Sequence, residues 1–176
     1  ICRDIANRFN HVYGDVFKMP EPYIPKAGAR VMSLNQPDTK MSKSIPEGCV
    51  FLMEKPEDIL RKFKRAITDS DTEKCVRFDP EHKPGVSNLM NIYSAITGRS
   101  YEQIEAEFDG LGYGAFKPAV GEAVVECLRP IREEAQRILT DKAYLESVYK
   151  AGAEKASYVA NKTLRKVYKK LGFVAP

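Results

Sequence analysis

From residue 56 onward, apolar residues recur every three or four positions, which is the spacing of helices that bury one face. Five stretches show this spacing, and they begin near Pro56, Val86, Ser100, Pro118 and Asp141. Glycines follow several of these stretches, as expected at helix ends, because glycine readily adopts the left-handed conformation of a C-cap. The pattern predicts an all-helical domain over residues 51–176.

Local signals support these helix boundaries. Pro56 suits the first turn of its helix, and two acidic residues follow it near the positive end of the helix dipole. Ser100 and Gln103 have the spacing of a capping box. Pro130 lies inside the helix that begins near Pro118, and it predicts a kink because that helix loses one backbone hydrogen bond.

The first fifty residues have a different character. Residues 3–13 predict the end of a helix that Gly14 closes, and ARVMSL at residues 29–34 predicts a short buried strand. We therefore expect residues 1–50 to be an α/β remnant. Because the chain starts at Ile1 as though already inside a helix, we also expect it to be part of a longer protein.

Composition narrows the class of protein. Hydrophobic residues make up 43% of the chain and charged residues 30%, which is typical of soluble globular proteins, and no apolar run has the length of a membrane span. The four cysteines are scattered and the two histidines stand apart. This distribution predicts a reduced intracellular compartment and no metal site.

The sequence KMSKS at residues 40–44 follows the predicted strand and a turn. Lys40 and Lys43 are point charges on flexible stems, which suits them to following phosphate oxygens. Ser42, Ser44 and the backbone amides near Gly48 can donate hydrogen bonds to an anion. Because nucleotides bind beyond the ends of strands in α/β sheets, this loop is a candidate clamp for a triphosphate. A plain solvated loop is the alternative that these residue types leave open.

A second cationic region lies at the end of the chain. Residues 150–176 contain seven basic residues and one acidic residue, Glu154. Such a segment favours a polyanionic partner, while a solvated helix face is the alternative. Tyr158 and Tyr168 are interleaved with these charges, so they either stack on unpaired bases or pack inside the helical bundle.

KMSKS is also the second hallmark motif of class I aminoacyl-tRNA synthetases, and the residues around it closely resemble the tryptophanyl-tRNA synthetase family. Six blocks in the family's order carry the resemblance: CRDIANRFN at 2–10, RVMSLNQPDTKMSKS at 30–44, AITDSD at 66–71, KPGVSNLMNIYS at 83–94, GYGAFK at 112–117 and LRPI at 128–131. The related tyrosyl enzymes share the loop but are not expected to carry the KPGVSNL and GYGAFK blocks. The resemblance covers essentially the whole chain.

This resemblance implies a cytoplasmic, homodimeric enzyme that activates L-tryptophan with ATP and Mg²⁺ and then esterifies tRNA(Trp). The ATP-binding residues that it implies are Val31, Lys40, Met41, Ser42, Lys43 and Ser44. Of these, Lys40 and Lys43 would bind the β and γ phosphates and stabilise charge on the leaving pyrophosphate, as the catalytic residues. The backbone near Val31 and Met41, with the Met41 side chain, would lie against adenine, and the two serines would assist the phosphate contacts or the loop geometry.

By the same resemblance, residues 1–50 are the C-terminal part of a Rossmann-type catalytic domain that includes the KMSKS loop. Residues 51–176 are then the helical tRNA anticodon-binding domain, whose last helix would pack back toward the catalytic domain. The residues of that helix that would contact tRNA are Lys162, Arg165, Lys166 and Lys169. Arg77, Lys83 and Arg99 are further basic residues that can face RNA.

Two departures from the family pattern bear on activity. Ile45 follows the motif where the family usually has Asp, which puts closure of the loop in question. The family's first motif, His-x-Gly-His, and the segment that recognises tryptophan are expected ahead of Ile1, so the chain alone is expected to be inactive. The alternatives are a tyrosyl-tRNA synthetase relative and a non-catalytic tRNA-binding module.

Overall fold

A computed structural model of the chain describes residues 1–24, 30–72 and 75–174. These residues form six α-helices and one short 3₁₀ helix at Pro46–Gly48. The α-helices are α1 (Cys2–Tyr13), α2 (Pro56–Arg65), α3 (Pro84–Thr97), α4 (Tyr101–Glu107), α5 (Gly112–Thr140) and α6 (Lys142–Leu171). The prediction that the chain is helical beyond residue 51 is confirmed for the described residues.

The helix ends follow the predicted signals. Gly14 closes α1, and Gly98 and Gly172 end α3 and α6 with left-handed φ angles of 72° and 74°. The Ser100 hydroxyl accepts a hydrogen bond from the Gln103 amide at 3.4 Å, and the Gln103 side chain accepts one from the Ser100 amide at 2.9 Å. This reciprocal pair is the predicted capping box at the start of α4.

Helix α5 begins earlier than predicted, at Gly112 rather than near Pro118, and it continues through Pro130 to Thr140. Each proline within it removes one backbone hydrogen bond. Phe116, in the unpredicted first part of the helix, is fully buried. Because tertiary burial supplies most of a helix's stability, packing of this kind outweighs the local cost of a proline.

The predicted strand at residues 29–34 does not form in the described part of that segment, which excludes residue 29. Met32 makes a single isolated antiparallel bridge with Lys40, and Leu34 donates to a carbonyl of the 3₁₀ helix at 3.0 Å. A strand needs a continuous partner strand, whereas this segment divides its hydrogen bonds between a turn and other parts of the chain. The expected α/β remnant is therefore not seen among the described residues, which form helices and loops.

One compact unit comprises residues 24–136 and contains α2, α3, α4 and most of α5. Its core is built mainly from apolar side chains of these four helices. The largest fully buried side chains are Phe63, Phe116, Ile59, Leu89, Met90, Ile104, Val86 and Val120. The segment that carries KMSKS lies against this core. Leu34 belongs to the core, and Val31 and Met41 pack against it.

A second unit comprises residues 1–23 and 137–176, which include α1, the end of α5 and α6. In α1 and the loop after it, the ring of Phe9 packs against those of Tyr13 and Phe17, with centroids 4.8 and 5.1 Å away. No described residue of α6 is buried, and its apolar residues are exposed or half-buried in this chain. The boundary between two functional domains at residue 50 and the packing of the last helix toward a catalytic domain both stay predictions.

Candidate functional site

Backbone hydrogen bonds join the two sides of the turn that leads into KMSKS. The Met41 amide donates to the Val31 carbonyl at 3.0 Å, and the Ser33 amide donates to the Thr39 carbonyl at 2.8 Å. The isolated bridge between Met32 and the first lysine of the motif lies between these two bonds. The first two residues of the motif are therefore held in place, and the rest of the loop extends beyond them.

The loop presents its charges to solvent. Lys40, Lys43 and Ser44 are exposed, and Ser42 is half-buried. Neither lysine has a carboxylate partner among the described residues. The Ser44 amide donates to the Ser42 hydroxyl at 3.3 Å, which turns the backbone between the two serines. Two cationic groups are thus available to an anion at this position.

Ile45, the residue that departs from the family pattern, is half-buried and precedes the 3₁₀ helix as its N-cap. Its side chain accepts no hydrogen bond from the helix, whereas an aspartate at this position could accept one. The turn is closed instead by the backbone, because the Ile45 amide donates to the Ser42 carbonyl at 3.1 Å. The loop therefore reaches the 3₁₀ helix without an acidic cap.

An open apolar groove of about 300 Å³ lies beside the loop. Val31 and Met41, both half-buried, form the side of the groove nearest the motif. The rest of its lining is Val50, Leu52, Phe63, Ile92, Ala95, Ile96, Val124, Cys127 and Leu128. Apolar walls next to exposed lysines suit a ligand that joins a flat ring to a polyanion.

Lys83, predicted to face RNA, is buried instead, with its side chain only 3% exposed. Its ammonium lies 3.0 Å from Asp69 Oδ1, 2.9 Å from Asp71 Oδ2 and 3.2 Å from the Tyr113 hydroxyl. The same hydroxyl donates to Asp69 Oδ1 at 2.7 Å. Burying a charged lysine is costly unless its charge is paired, and the AITDSD block supplies both carboxylates. The cluster joins the starts of α3 and α5 to the loop after α2.

The contacts in this cluster shift the pKa values of its members. Burial lowers the pKa of Lys83, but the hydrogen bonds with Asp71, Asp69 and Tyr113 outweigh it and raise that pKa above its ordinary value. Partial burial raises the pKa of Asp69, and hydrogen bonds from Tyr113, the Asp71 amide and Lys83 together lower it below its ordinary value. Burial and the bond to Asp69 raise the pKa of Tyr113 to about 12. At neutral pH Lys83 is therefore a cation, Asp69 a carboxylate and Tyr113 a neutral phenol.

The basic residues predicted to contact tRNA lie on α6 and are all exposed: Lys162, Arg165, Lys166 and Lys169. Their spacing of three and four residues places them on one face of the helix. Tyr158 is 73% exposed, so the alternative that it packs inside the bundle does not hold here. Tyr168 is half-buried, and its ring centroid lies 6.0 Å from that of Phe173.

Two other kinds of feature are not found in the described residues. Across residues 1–24, 30–72 and 75–174, no three His, Cys, Asp or Glu side chains converge to form a possible metal site. In the same part of the chain, no helix combines the length and the hydropathy that crossing a bilayer requires.

The KMSKS motif lies on an exposed loop that helices follow, as the sequence predicts, and the apolar groove beside that loop is a feature that the sequence did not predict. The family model for tRNA synthetases class I (W and Y) matches residues 1–129. The chain belongs to this family, which comprises the class I tRNA synthetases for tryptophan and tyrosine.

Within that family the chain is similar to proteins specific for tryptophan. It is 53% identical over 176 residues to a tryptophan–tRNA ligase of Clostridium tetani, covering 99% of this chain and 51% of that protein. The crystal structure of tryptophanyl-tRNA synthetase from Mycoplasma pneumoniae matches with a TM-score of 0.84 and 28% identity, over 98% of this chain and 53% of that one. A Campylobacter jejuni tryptophanyl-tRNA synthetase complexed with ADP and tryptophan matches with a TM-score of 0.64 and 26% identity, over 97% and 52%. The chain thus spans about half the length of these relatives, and the resemblance to tryptophanyl-tRNA synthetases is confirmed.

Proposed function

We propose that the chain is part of a tryptophan–tRNA ligase, which converts L-tryptophan and ATP to tryptophanyl-AMP and transfers the tryptophan to tRNA(Trp). The KMSKS loop carries the proposal: its lysines are exposed beside an apolar groove, in a chain 53% identical to a tryptophan–tRNA ligase of Clostridium tetani. In this proposal residues 1–50 end a Rossmann-type catalytic domain, and residues 51–176 form the tRNA anticodon-binding domain. The resemblance also supports a cytoplasmic homodimer for the full-length protein.

In the activation step, a carboxylate oxygen of tryptophan attacks the α-phosphorus of ATP, and the bond from that phosphorus to the pyrophosphate oxygen breaks. Lys40 and Lys43 bind the β and γ phosphates, where negative charge grows as pyrophosphate leaves. Their attraction therefore strengthens toward the transition state and lowers the barrier, beyond any effect on ATP affinity. The exposed lysines lie on a loop that closes over ATP and reopens for product release.

The remaining residues of the loop position the nucleotide. Val31 and Met41 offer the apolar surface against which adenine lies, and Ser42 and Ser44 hydrogen-bond phosphate oxygens or shape the loop. When bound, Mg²⁺ would neutralise charge on the ATP phosphates, which are its usual ligands in such enzymes.

The exposed basic face of α6 is the proposed tRNA contact. Binding through phosphates releases counterions, so the affinity for tRNA(Trp) should fall steeply as salt rises. Replacing both Lys162 and Lys166 with alanine should reduce the slope of log K against log salt by about 1–2, because each phosphate contact contributes about 0.7–0.9. An unchanged slope would indicate that this face is a solvated surface that does not contact nucleic acid.

ATP–pyrophosphate exchange by the intact protein that contains this chain tests the activity. Exchange that depends on tryptophan is the expected result. Exchange that depends on tyrosine would assign the chain to the tyrosyl enzymes instead. Binding of tRNA without exchange in the presence of either amino acid would identify a non-catalytic module.

The role of the loop is tested by Lys43→Ala. We expect the rate of exchange to fall by about 100-fold or more, with a smaller effect on the KM for ATP, because the contact acts mainly in the transition state. Lys64→Ala is the matched control, since it removes the same charge from an exposed position on α2, outside the loop. Equal rates for Lys43→Ala and the wild-type protein would refute the assignment.

A further inference from the structure

The side chain of Asn88 binds the backbone of the segment before KMSKS at two points. Asn88 lies on α3 and is 3% exposed. Its Nδ2 donates to the Met32 carbonyl at 2.9 Å, and its Oδ1 accepts from the Met32 amide at 2.9 Å. The two residues are 56 positions apart in sequence. The Asn88 side chain thus makes the two backbone hydrogen bonds to Met32 that a neighbouring strand would otherwise make.

Met32 in turn is paired with the first lysine of the motif. The bridge to Lys40 occupies one side of the Met32 backbone, and Asn88 occupies the other through its side chain. A continuous set of contacts therefore runs from α3 through Met32 to the start of the loop. Beyond Met41, the hydrogen bonds recorded for the loop up to Ile45 are those of short turns, such as the bond from the Ile45 amide to the Ser42 carbonyl.

Asparagine has the hydrogen-bonding groups that this position requires. The Met32 peptide edge offers one donor and one acceptor, and a side-chain amide offers one of each in return. An aspartate would keep the acceptor but place a second oxygen against the Met32 carbonyl. Because the site is buried, a group left unpaired there is not compensated by water.

We propose that Asn88 is a positioning residue for the KMSKS loop. It holds Met32, and through Met32 it sets the place from which Lys40 and Lys43 reach the phosphates of ATP. The inference rests on the proposed function of the loop, and Asn88 itself does not touch ATP. It deepens that function, because it makes a residue of a helix in the anticodon-binding region a determinant of the activation rate.

The test is Asn88→Asp in the intact protein, with Ser87→Ala as the matched control. Ser87 is the neighbouring residue on α3, is 2% exposed, and accepts a hydrogen bond from the Asp79 amide at 2.9 Å. Its replacement removes a buried bond of the same kind that leads away from the loop. Asn88→Asp should lower the kcat of tryptophan-dependent exchange about 10-fold or more, with a smaller change in the KM for ATP and with tRNA affinity retained. Ser87→Ala should leave exchange within about twofold of wild type.

A second measurement does not depend on activity. Trypsin cleaves after lysine when a segment opens locally, so cleavage after Lys40 and Lys43 should be about 10-fold faster in Asn88→Asp than in wild type or Ser87→Ala. If the wild-type protein shows no exchange, the proposed function fails while this comparison still decides the role of Asn88. Cleavage and exchange rates that match those of Ser87→Ala would overturn the inference. Should Asn88→Asp not fold, Asn88→Ser, which introduces no charge, is measured in its place against the same control.

Discussion

Replacing Lys83 with methionine is expected to destabilise the folded chain by about 3–5 kcal/mol, the usual cost of removing one partner from a buried ion pair. The side chain of Lys83 is 3% exposed, and its ammonium lies within 3.2 Å of Asp69, Asp71 and the Tyr113 hydroxyl. Methionine fills much of the space of the lysine stem but supplies no charge. The change therefore leaves the side chains of Asp69 and Asp71 without this counter-ion.

The exposure of the partners sets where in that range the effect should fall. The Asp69 side chain is 26% exposed and that of Asp71 is 46% exposed, so water can solvate both carboxylates in part once the lysine is gone. We therefore expect a loss near the lower end, about 3 kcal/mol. The measurement is urea unfolding followed by far-UV circular dichroism, in which the midpoint should fall while the slope stays constant.

An exposed pair provides the control. The ammonium of Lys150 on α6 lies 2.6 Å from Glu146 Oε1, but the two side chains are 64% and 51% exposed. Lys150→Met should cost no more than about 0.5 kcal/mol, because an exposed pair four residues apart gains little over hydrated charges. The comparison separates the effect of burial from the effect of losing a lysine.

A double variant tests the mechanism. If Lys83→Met destabilises because it leaves charge unpaired, adding Asp69→Asn should recover part of the loss, with a coupling of about 1–3 kcal/mol. Strictly additive effects would contradict the electrostatic explanation. A loss below about 1 kcal/mol for Lys83→Met alone would show that the cluster contributes little to the fold.

Four further substitutions are predicted to alter stability in the same urea assay. The pKa of Asp69 is lowered in the folded chain, so its contribution to the free energy of unfolding is present above its unfolded pKa of about 4 and is lost as pH falls through its folded pKa. Asp69→Asn should therefore weaken the loss of stability at acid pH. An unaltered dependence of stability on pH in that range would contradict this. Ser100→Ala removes the N-cap of α4 and should cost about 1 kcal/mol, and an unshifted midpoint would show that the cap is unimportant. A Cβ on Gly85 would lie 2.1 Å from the Ile67 carbonyl oxygen, so Gly85→Ala should lower the free energy of unfolding by about 1–3 kcal/mol. Gly152 lies inside a helix with open space around it, so Gly152→Ala should raise the free energy of unfolding by about 0.5–1 kcal/mol. The opposite order would refute the packing argument.

The helices could be predicted from sequence wherever their signals are local. These signals act within one turn of the chain, so they can be recognised from neighbouring residues alone. They are the capping box at Ser100 and the terminal glycines of α1, α3 and α6. Sequence signals place the start of α5 near Pro118, six residues after its observed start at Gly112, because proline is common in the first turn of a helix. Burial of Phe116 against other helices extends the helix backward past that proline, and no local signal reports it.

The segment before KMSKS shows the opposite limit. Its β-branched and apolar residues favour a strand, but a strand requires a partner, and among the described residues Met32 finds only the turn and one asparagine side chain. The Rossmann-type assignment of residues 1–50 accordingly rests on the family relationship and stays a proposal. The motif itself was recognisable because its spacing is contained in five consecutive residues.

Local sequence signals are enough to predict where most helices begin and end, and to recognise the KMSKS loop with its two lysines. Each of these depends on residues a few positions apart, whose interactions are the same in almost any surroundings. The burial of particular polar residues, by contrast, depends on how distant parts of the chain fold together. Lys83 is held by Asp69, 14 positions away, and Asn88 binds Met32 across 56 positions. A buried charge or amide is stable only beside its partner, and partners at that separation meet only when the chain has folded.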